Sequence, residues 1–148
     1  MANPYMRLAI EEAKTGIHAG HGGPFGCVII KDGIVIGKGH NEVLKQNDPT
    51  CHGEMMAIRE ACKTIHTHDL SGYELYTTAA PCPMCFGAIL WANIRKIYYG
   101  CSVSDTDKIG FRDEEFYNTK YDFSEELDRP ECLKLFEEYA GLRNKTLY

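Results

Sequence analysis

Two apolar helices that each begin with side chains able to bind a metal constrain this chain more than any other feature. "TCHGEMMAIREA" places His52 and Glu54 at the head of one, and "APCPMCFGAILWA" places Cys82 and Cys85 at the head of the next. Pro83 suits a first helical turn, because its missing N–H is one a helix leaves unpaired there. Between the two helices "YELYTT" reads as a strand, and "KIYYGCS" after the second reads as another; both are rich in aromatic and β-branched residues. Strand, helix, strand implies parallel pairing with the helices packed on the sheet. Two consecutive helices on one face of such a sheet bring their N-termini side by side.

The rest of the chain fits around that unit. Asn3 is a plausible N-cap with Pro4 at the first helical position. Met6, Ile10, Ala13 and Ile17 then recur at helical spacing, and the helix should stop near Gly20. "PFGCVIIKDGIVIGKGH" holds two β-branched runs around Asp32-Gly33, a strong hairpin signal, so buried strands are expected at about 25–31 and 34–40. "NEVLKQNDPT" reads as a loop, the second helix as about 52–65, and the stretch after 102 as polar with weak periodicity. A last amphipathic helix is expected from about Pro130 to Leu142, with Leu133, Phe136 and Ala140 on one face. The fold class is therefore α/β, a three-layer α/β/α sandwich with a mixed sheet and an antiparallel hairpin at one side.

Bulk properties exclude several roles. A chain of 148 residues suits a single domain over residues 1–148. A net charge of −5 argues against nucleic acid as a partner, since that affinity starts with cations on phosphates. No apolar run is long enough to cross a membrane, and "MANPYMRLAIEEAK" carries charges where a secretory signal would be apolar. A cytoplasmic location is expected. Seven cysteines, an odd number, then read as thiols or metal ligands rather than disulfides. His18, His21, His66 and His68 read as surface or loop residues.

Cys82 and Cys85, taken alone, leave metal and redox readings open. Residues three apart share a helix face, and thiols at a helix N-terminus are acidified by the dipole and free N–H groups. His52 and Glu54 break the tie. At a helix start the first residue lies outside helical geometry, so both side chains can face the space before the N-terminus. His52, Cys82 and Cys85 then make three zinc ligands, the count of a catalytic site with one open position. Glu54 remains as a carboxylate that moves a proton for the activated water. Cys51 beside His52 is a conceivable fourth ligand, but its side chain should turn toward the sheet.

H-x-E followed by P-C-x-x-C is the signature of the zinc nucleobase deaminases. The chain resembles the cytidine deaminase-like superfamily over most of its length, and within it is most like the bacterial guanine deaminases. "GGPFG" at 22–26, "NDPT" just before His52, "AIREACK" at 57–63, "PCPMCFGAI" at 81–89, "GFRD" at 110–113 and the final Tyr148 carry the likeness. The resemblance implies one zinc ion per subunit. It implies attack of zinc-bound hydroxide on the amino-bearing carbon of a free base, best read as guanine giving xanthine and ammonia, with Glu54 as the proton shuttle. Asn41 matches the amide that hydrogen-bonds the ring, Phe25 an aromatic wall, Asp113 an acid facing the purine amino edge, and Tyr148 a closing aromatic.

Two positions depart from that pattern. Most relatives have Glu where this chain has Ala80, and Ala where it has Gly53. "HGE" and "GKGHN" are similar to fungal-type cytosine deaminases, so cytosine to uracil is the second reading. A tRNA adenosine deaminase and a non-catalytic zinc module follow. The apolar "ILWANIRKIYYG" suggests a homodimer. The tail from about 119 to 148 is long enough to be swapped so that Tyr148 covers the partner's pocket.

Overall fold

The structure, a computed structural model, describes residues 3–120 and 122–148. Its first helix, α1 (Pro4–His18), begins as the sequence dictates: Asn3 Oδ1 accepts the Tyr5 and Met6 amides at 2.9 and 3.3 Å. Its buried seam differs from the expected one. Ala9, Ala13 and Gly16 lie inward, whereas Ile10 and Ile17 are largely exposed. The seam that faces the sheet is made of small residues, and the larger side chains stand at its flanks.

Strands β1 (Gly26–Lys31) and β2 (Ile34–His40) form the expected hairpin. Asp32 and Gly33 both have positive φ, 50° and 78°, as a tight turn with right-handed strand twist requires. β1 is buried almost throughout, but β2 is not, because it is the edge strand and Ile34 and Val35 face solvent. Residues 42–50 are not a plain loop. They include α2 (Val43–Gln46), a single turn that ends with Asn47 in the left-handed region.

Helix α3 (Gly53–Ile65) leads to β3 (Glu74–Ala79), then α4 (Pro83–Trp91) and β4 (Lys96–Cys101). The sheet order is β2-β1-β3-β4, with β1 antiparallel to both neighbours and β3 parallel to β4. Alternation along β1 splits the core in two. Cys27 and Ile29 pack with Ala57 and Ala61 of α3, Ile89 of α4 and Leu75 of β3. Val28 and Ile30 pack with Ala9 of α1 and Tyr76. Helices therefore cover both faces of a mixed sheet, the three-layer arrangement the element order implied. α3 and α4 share one face, which sets their N-termini together.

Helices α5 (Val103–Lys108) and α6 (Asp113–Asn118) follow. At the start of α5, Ser102 and Asp105 form a reciprocal capping box, a local signal the sequence reading did not use. Contacts divide the chain into two compact units, Met1–Asn118 and Thr119–Tyr148. The second contains α7 (Arg129–Ala140), with Leu135, Phe136 and Tyr139 exposed along it. The Lys145 ammonium closes its end by donating to the Ala140 and Leu142 carbonyls.

Candidate metal centre and base pocket

Two residues just outside helical geometry create the centre. His52 is the N-cap of α3 and Cys82 the N-cap of α4, both with extended backbone. Their side chains meet, with His52 Nδ1 3.5 Å from Cys82 Sγ. Cys85, one turn into α4, is buried beneath them, and its amide donates to Cys82 Sγ at 3.5 Å. The three donor atoms all lie within 4.8 Å of one another. For zinc with bonds of about 2.3 Å to sulfur and about 2.0–2.1 Å to nitrogen, a tetrahedral N···S edge is about 3.5 Å. The His52–Cys82 edge already has that length. Cys51 is buried elsewhere, taking a contact from Arg59 Nη1 at 3.6 Å, and does not belong to the group.

The electrostatics suit a cation. The bond from the Cys85 thiol pulls the Cys82 thiol down to about 4 against its burial, with His52 helping. Cys85 is driven up in turn, first by that same bond and then by burial. Of the pair, Cys82 at the helix N-terminus is the thiol that ionises more readily. The hydrogen bond to Cys82 raises the His52 imidazole.

Glu54 lies behind this group, 5% exposed. Burial raises its carboxyl above the ordinary range, opposed by bonds from Cys85 and Thr77. Thr77 is fully buried on β3, and its hydroxyl donates to Glu54 Oε1 at 2.5 Å. A carboxyl raised by burial and held by hydrogen-bond donors is suited to taking up and releasing a proton.

A cavity of about 410 Å³ opens onto His52, Glu54 and Cys82. That falls in the range of about 300–1,000 Å³ typical of small-molecule sites. Phe25, Asn41 and Asp113 all line it. The Asn41 amide is oriented by chemistry: the Val43 N–H donates to Oδ1 at 3.0 Å, which leaves Nδ2 as the free donor. Asn41's own N–H reaches the Phe25 carbonyl at 2.9 Å, tying two walls together. Gly22 lies against Asn41 so closely that a Cβ there would meet Oδ1 at 2.1 Å. Asp113 opens α6, and burial raises its carboxyl, as does the Cys82 charge. Tyr148 lies in the Thr119–Tyr148 unit.

Sequence reasoning missed several groups. Phe111 meets Phe25 edge-on, with ring centroids 4.9 Å apart, and lines the cavity with Arg112 and Phe116. "GFRDEEF" carries no periodicity that would place those rings. The Tyr117 hydroxyl donates to the Pro81 carbonyl, beside the Cys82 turn. Thr77 could have been found, since it alternates with Leu75 and Ala79 on the α3 side of β3. His21, read as a surface or loop residue, does lie in a loop, the turn after α1. Its ring is part-buried there and stacked on His40, with centroids 5.1 Å apart. A backbone turn, not periodicity, folds it back. Among the described residues, no helix is long and apolar enough to cross a membrane.

The chain belongs to the family described as the cytidine and deoxycytidylate deaminase zinc-binding region, whose family model matches residues 2–101. It is a zinc-dependent hydrolase of the deaminase type. Among particular proteins, it is 40% identical to guanine deaminase from Bacillus subtilis (strain 168), over 97% of each chain. The X-ray structure of guanine deaminase from Bacillus subtilis superposes with a TM-score of 0.92 at 37% identity, covering 99% of each chain. A tRNA-specific adenosine deaminase of Aquifex aeolicus (strain VF5) is 42% identical, over 64% of this chain and 62% of its own.

Proposed function

We propose that this chain deaminates guanine hydrolytically, giving xanthine and ammonia. The end-to-end match to a guanine deaminase carries this reading, because it includes the segment after residue 101 that supplies Phe111, Arg112 and Asp113 to the cavity wall. The site residues take roles by position. His52, Cys82 and Cys85 would hold zinc, which supplies Lewis acidity that activates water for attack on the amino-bearing carbon. Glu54 takes the proton that the water loses and gives it to the departing amino group. Thr77 keeps that carboxyl aimed. Asn41 Nδ2 donates to an acceptor on the ring, Phe25 forms the wall against it, and Asp113 accepts from the purine amino edge. The new C–O bond replaces the C–N bond, and ammonia leaves with the transferred proton.

Cytosine deamination is the second reading. It is favoured by Ala79 and Ala80 lining the cavity, at the point where the chain departs from its relatives. Ammonia release measured over guanine, cytosine, adenine, cytidine and guanosine decides between them. Turnover confined to guanine is expected. Preference for cytosine would replace the reading, and no release from any base by zinc-loaded protein would overturn both.

We further propose a cytoplasmic homodimer in which residues 119–148 exchange between subunits and Tyr148 serves the partner. Seven free thiols support a reducing compartment. Exposed Phe86, Leu90 and Trp91 on α4 support a partner surface. Removing residues 119–148 and finding unchanged mass and activity would dismiss the exchange.

A further inference from the structure

A second group of metal-binding side chains lies outside the deaminase centre. Three segments build it: the turn after α1 supplies His21, the end of β2 supplies His40, and the start of the α2 region supplies Glu42. His21 Nδ1 lies 2.8 Å from His40 Nε2. Glu42 Oε1 lies 4.0 Å from the first and 3.7 Å from the second. All three are shielded, with side-chain exposures of 22%, 12% and 12%. They form a set of one nitrogen, one nitrogen and one oxygen within 4.8 Å of one another.

The surroundings orient these donors. His40 directs its other nitrogen, Nδ1, toward Glu12 Oε1 at 3.5 Å, where Glu12 is itself only 14% exposed. Nδ1 is buried and makes no hydrogen bond among the described residues. A carboxylate behind the far nitrogen of a ligating imidazole is the usual outer support of a metal-bound histidine. Gln46 Nε2 fixes the second Glu42 oxygen at 2.6 Å, leaving Oε1 toward the imidazoles. Against its burial, bonds from Gln46 and Lys45 keep the Glu42 carboxyl below its ordinary range. The backbone is fixed as well, since His21's carbonyl accepts the Leu44 and Lys45 amides and Glu42's amide donates to the Cys51 carbonyl.

We propose that His21, His40 and Glu42 form a second site for a divalent transition-metal ion. Two imidazoles and one carboxylate suit zinc, cobalt or nickel, whereas calcium and magnesium prefer oxygen donors. For zinc, a tetrahedral N···N edge is about 3.3 Å, so the two rings need to part by about 0.5 Å and Glu42 Oε1 to move in by a similar distance. Two bonds compete with the ion: the His21–His40 hydrogen bond must give up the proton the two nitrogens share, and Lys45 Nζ donates to Glu42 Oε1 at 3.2 Å. The lysine side chain is 52% exposed and can turn into solvent. An ion here would clamp His21 to the residues on both sides of Asn41, and so stiffen the wall that holds the ring.

The test titrates protein holding one equivalent of zinc with Co²⁺ and reads bound metal by elemental analysis after gel filtration, with the cobalt visible bands as a second signal. One further equivalent is expected. It should weaken at least tenfold in His21→Ala and in Glu42→Gln, and about 10- to 100-fold in Glu12→Gln, which removes only the outer carboxylate. Lys45→Gln should tighten it, since the competing ammonium is gone. Cys82→Ser with Cys85→Ser should lose the first equivalent and keep the second. Absence of a further equivalent in the wild-type protein would overturn the proposal. So would an equivalent that survives His21→Ala and Glu42→Gln at unchanged affinity, or one displaced by Ca²⁺ as readily as by Ni²⁺. His21 is the most exposed of the three, so its variant remains informative even where His40→Ala does not fold.

Discussion

Replacing Gly22 by alanine probes the group proposed to hold the ring. A Cβ at Gly22 would stand 2.1 Å from Asn41 Oδ1, 2.9 Å from Asn41 Cγ and 3.0 Å from the Asn41 carbonyl oxygen. Ordinary contact begins near 3.4 Å, so the amide must rotate away. Gly22 has no positive φ, and alanine adds no backbone strain. Rotation breaks the Val43 N–H bond to Oδ1, worth about 1 kcal/mol of stability. It also carries Nδ2 away from the ring. Losing one hydrogen bond to substrate costs about 1–3 kcal/mol, or about 5- to 150-fold in kcat/KM. The loss should fall mostly on KM, because this contact forms before the chemistry and persists through it. Steady-state ammonia release with guanine measures it, alongside zinc content. Gly87→Ala is the control. Gly87 lies inside α4 with nothing within 4 Å of its added Cβ. Alanine there should stabilise by about 0.5–1 kcal/mol and leave kinetics unchanged. A kcat/KM for Gly22→Ala within about twofold of wild type would refute the role assigned to Asn41.

Glu54→Gln should keep zinc and the fold while lowering kcat by at least about 10²-fold, checked by metal analysis and single-turnover assay. Thr77→Val removes the donor that favours the charged carboxylate, so Glu54 should hold its proton to higher pH. The acid limb of the kcat/KM profile should then move upward in pH, whereas Thr77→Ser should leave it in place. After chelation, Cys82 should react with iodoacetamide at pH 6 well ahead of ordinary thiols, because it is pulled down to about 4. Zinc should abolish that selectivity, with peptide mass spectrometry identifying the labelled residue.

Local signals carried much of the fold because they act over a few residues. Asn3 and Pro4 start α1, Asp32-Gly33 turns the hairpin, and Pro83 opens α4, each through its own backbone preference. Periodicity placed less well where packing decides. Ile10 and Ile17 fit an apolar helical face, yet the buried seam is Ala9, Ala13 and Gly16, since a helix lying close to the sheet admits small residues beneath it. α2 and α6 are too short for periodicity to show, and Phe111 and Phe116 reach the cavity only through the path of the chain.

The sequence by itself determined the chemistry. A histidine and a carboxylate at one helix start and two cysteines at the next are enough to nominate three ligands and a proton carrier, because helix geometry constrains where such side chains point. The tertiary structure decided what the chemistry acts on. It set Thr77 against Glu54, aimed the Asn41 amide by spending its oxygen on Val43, and stacked His21 on His40 across 19 residues. Those contacts join residues far apart in the chain or fix an orientation, and neither a motif nor a period records distance in space.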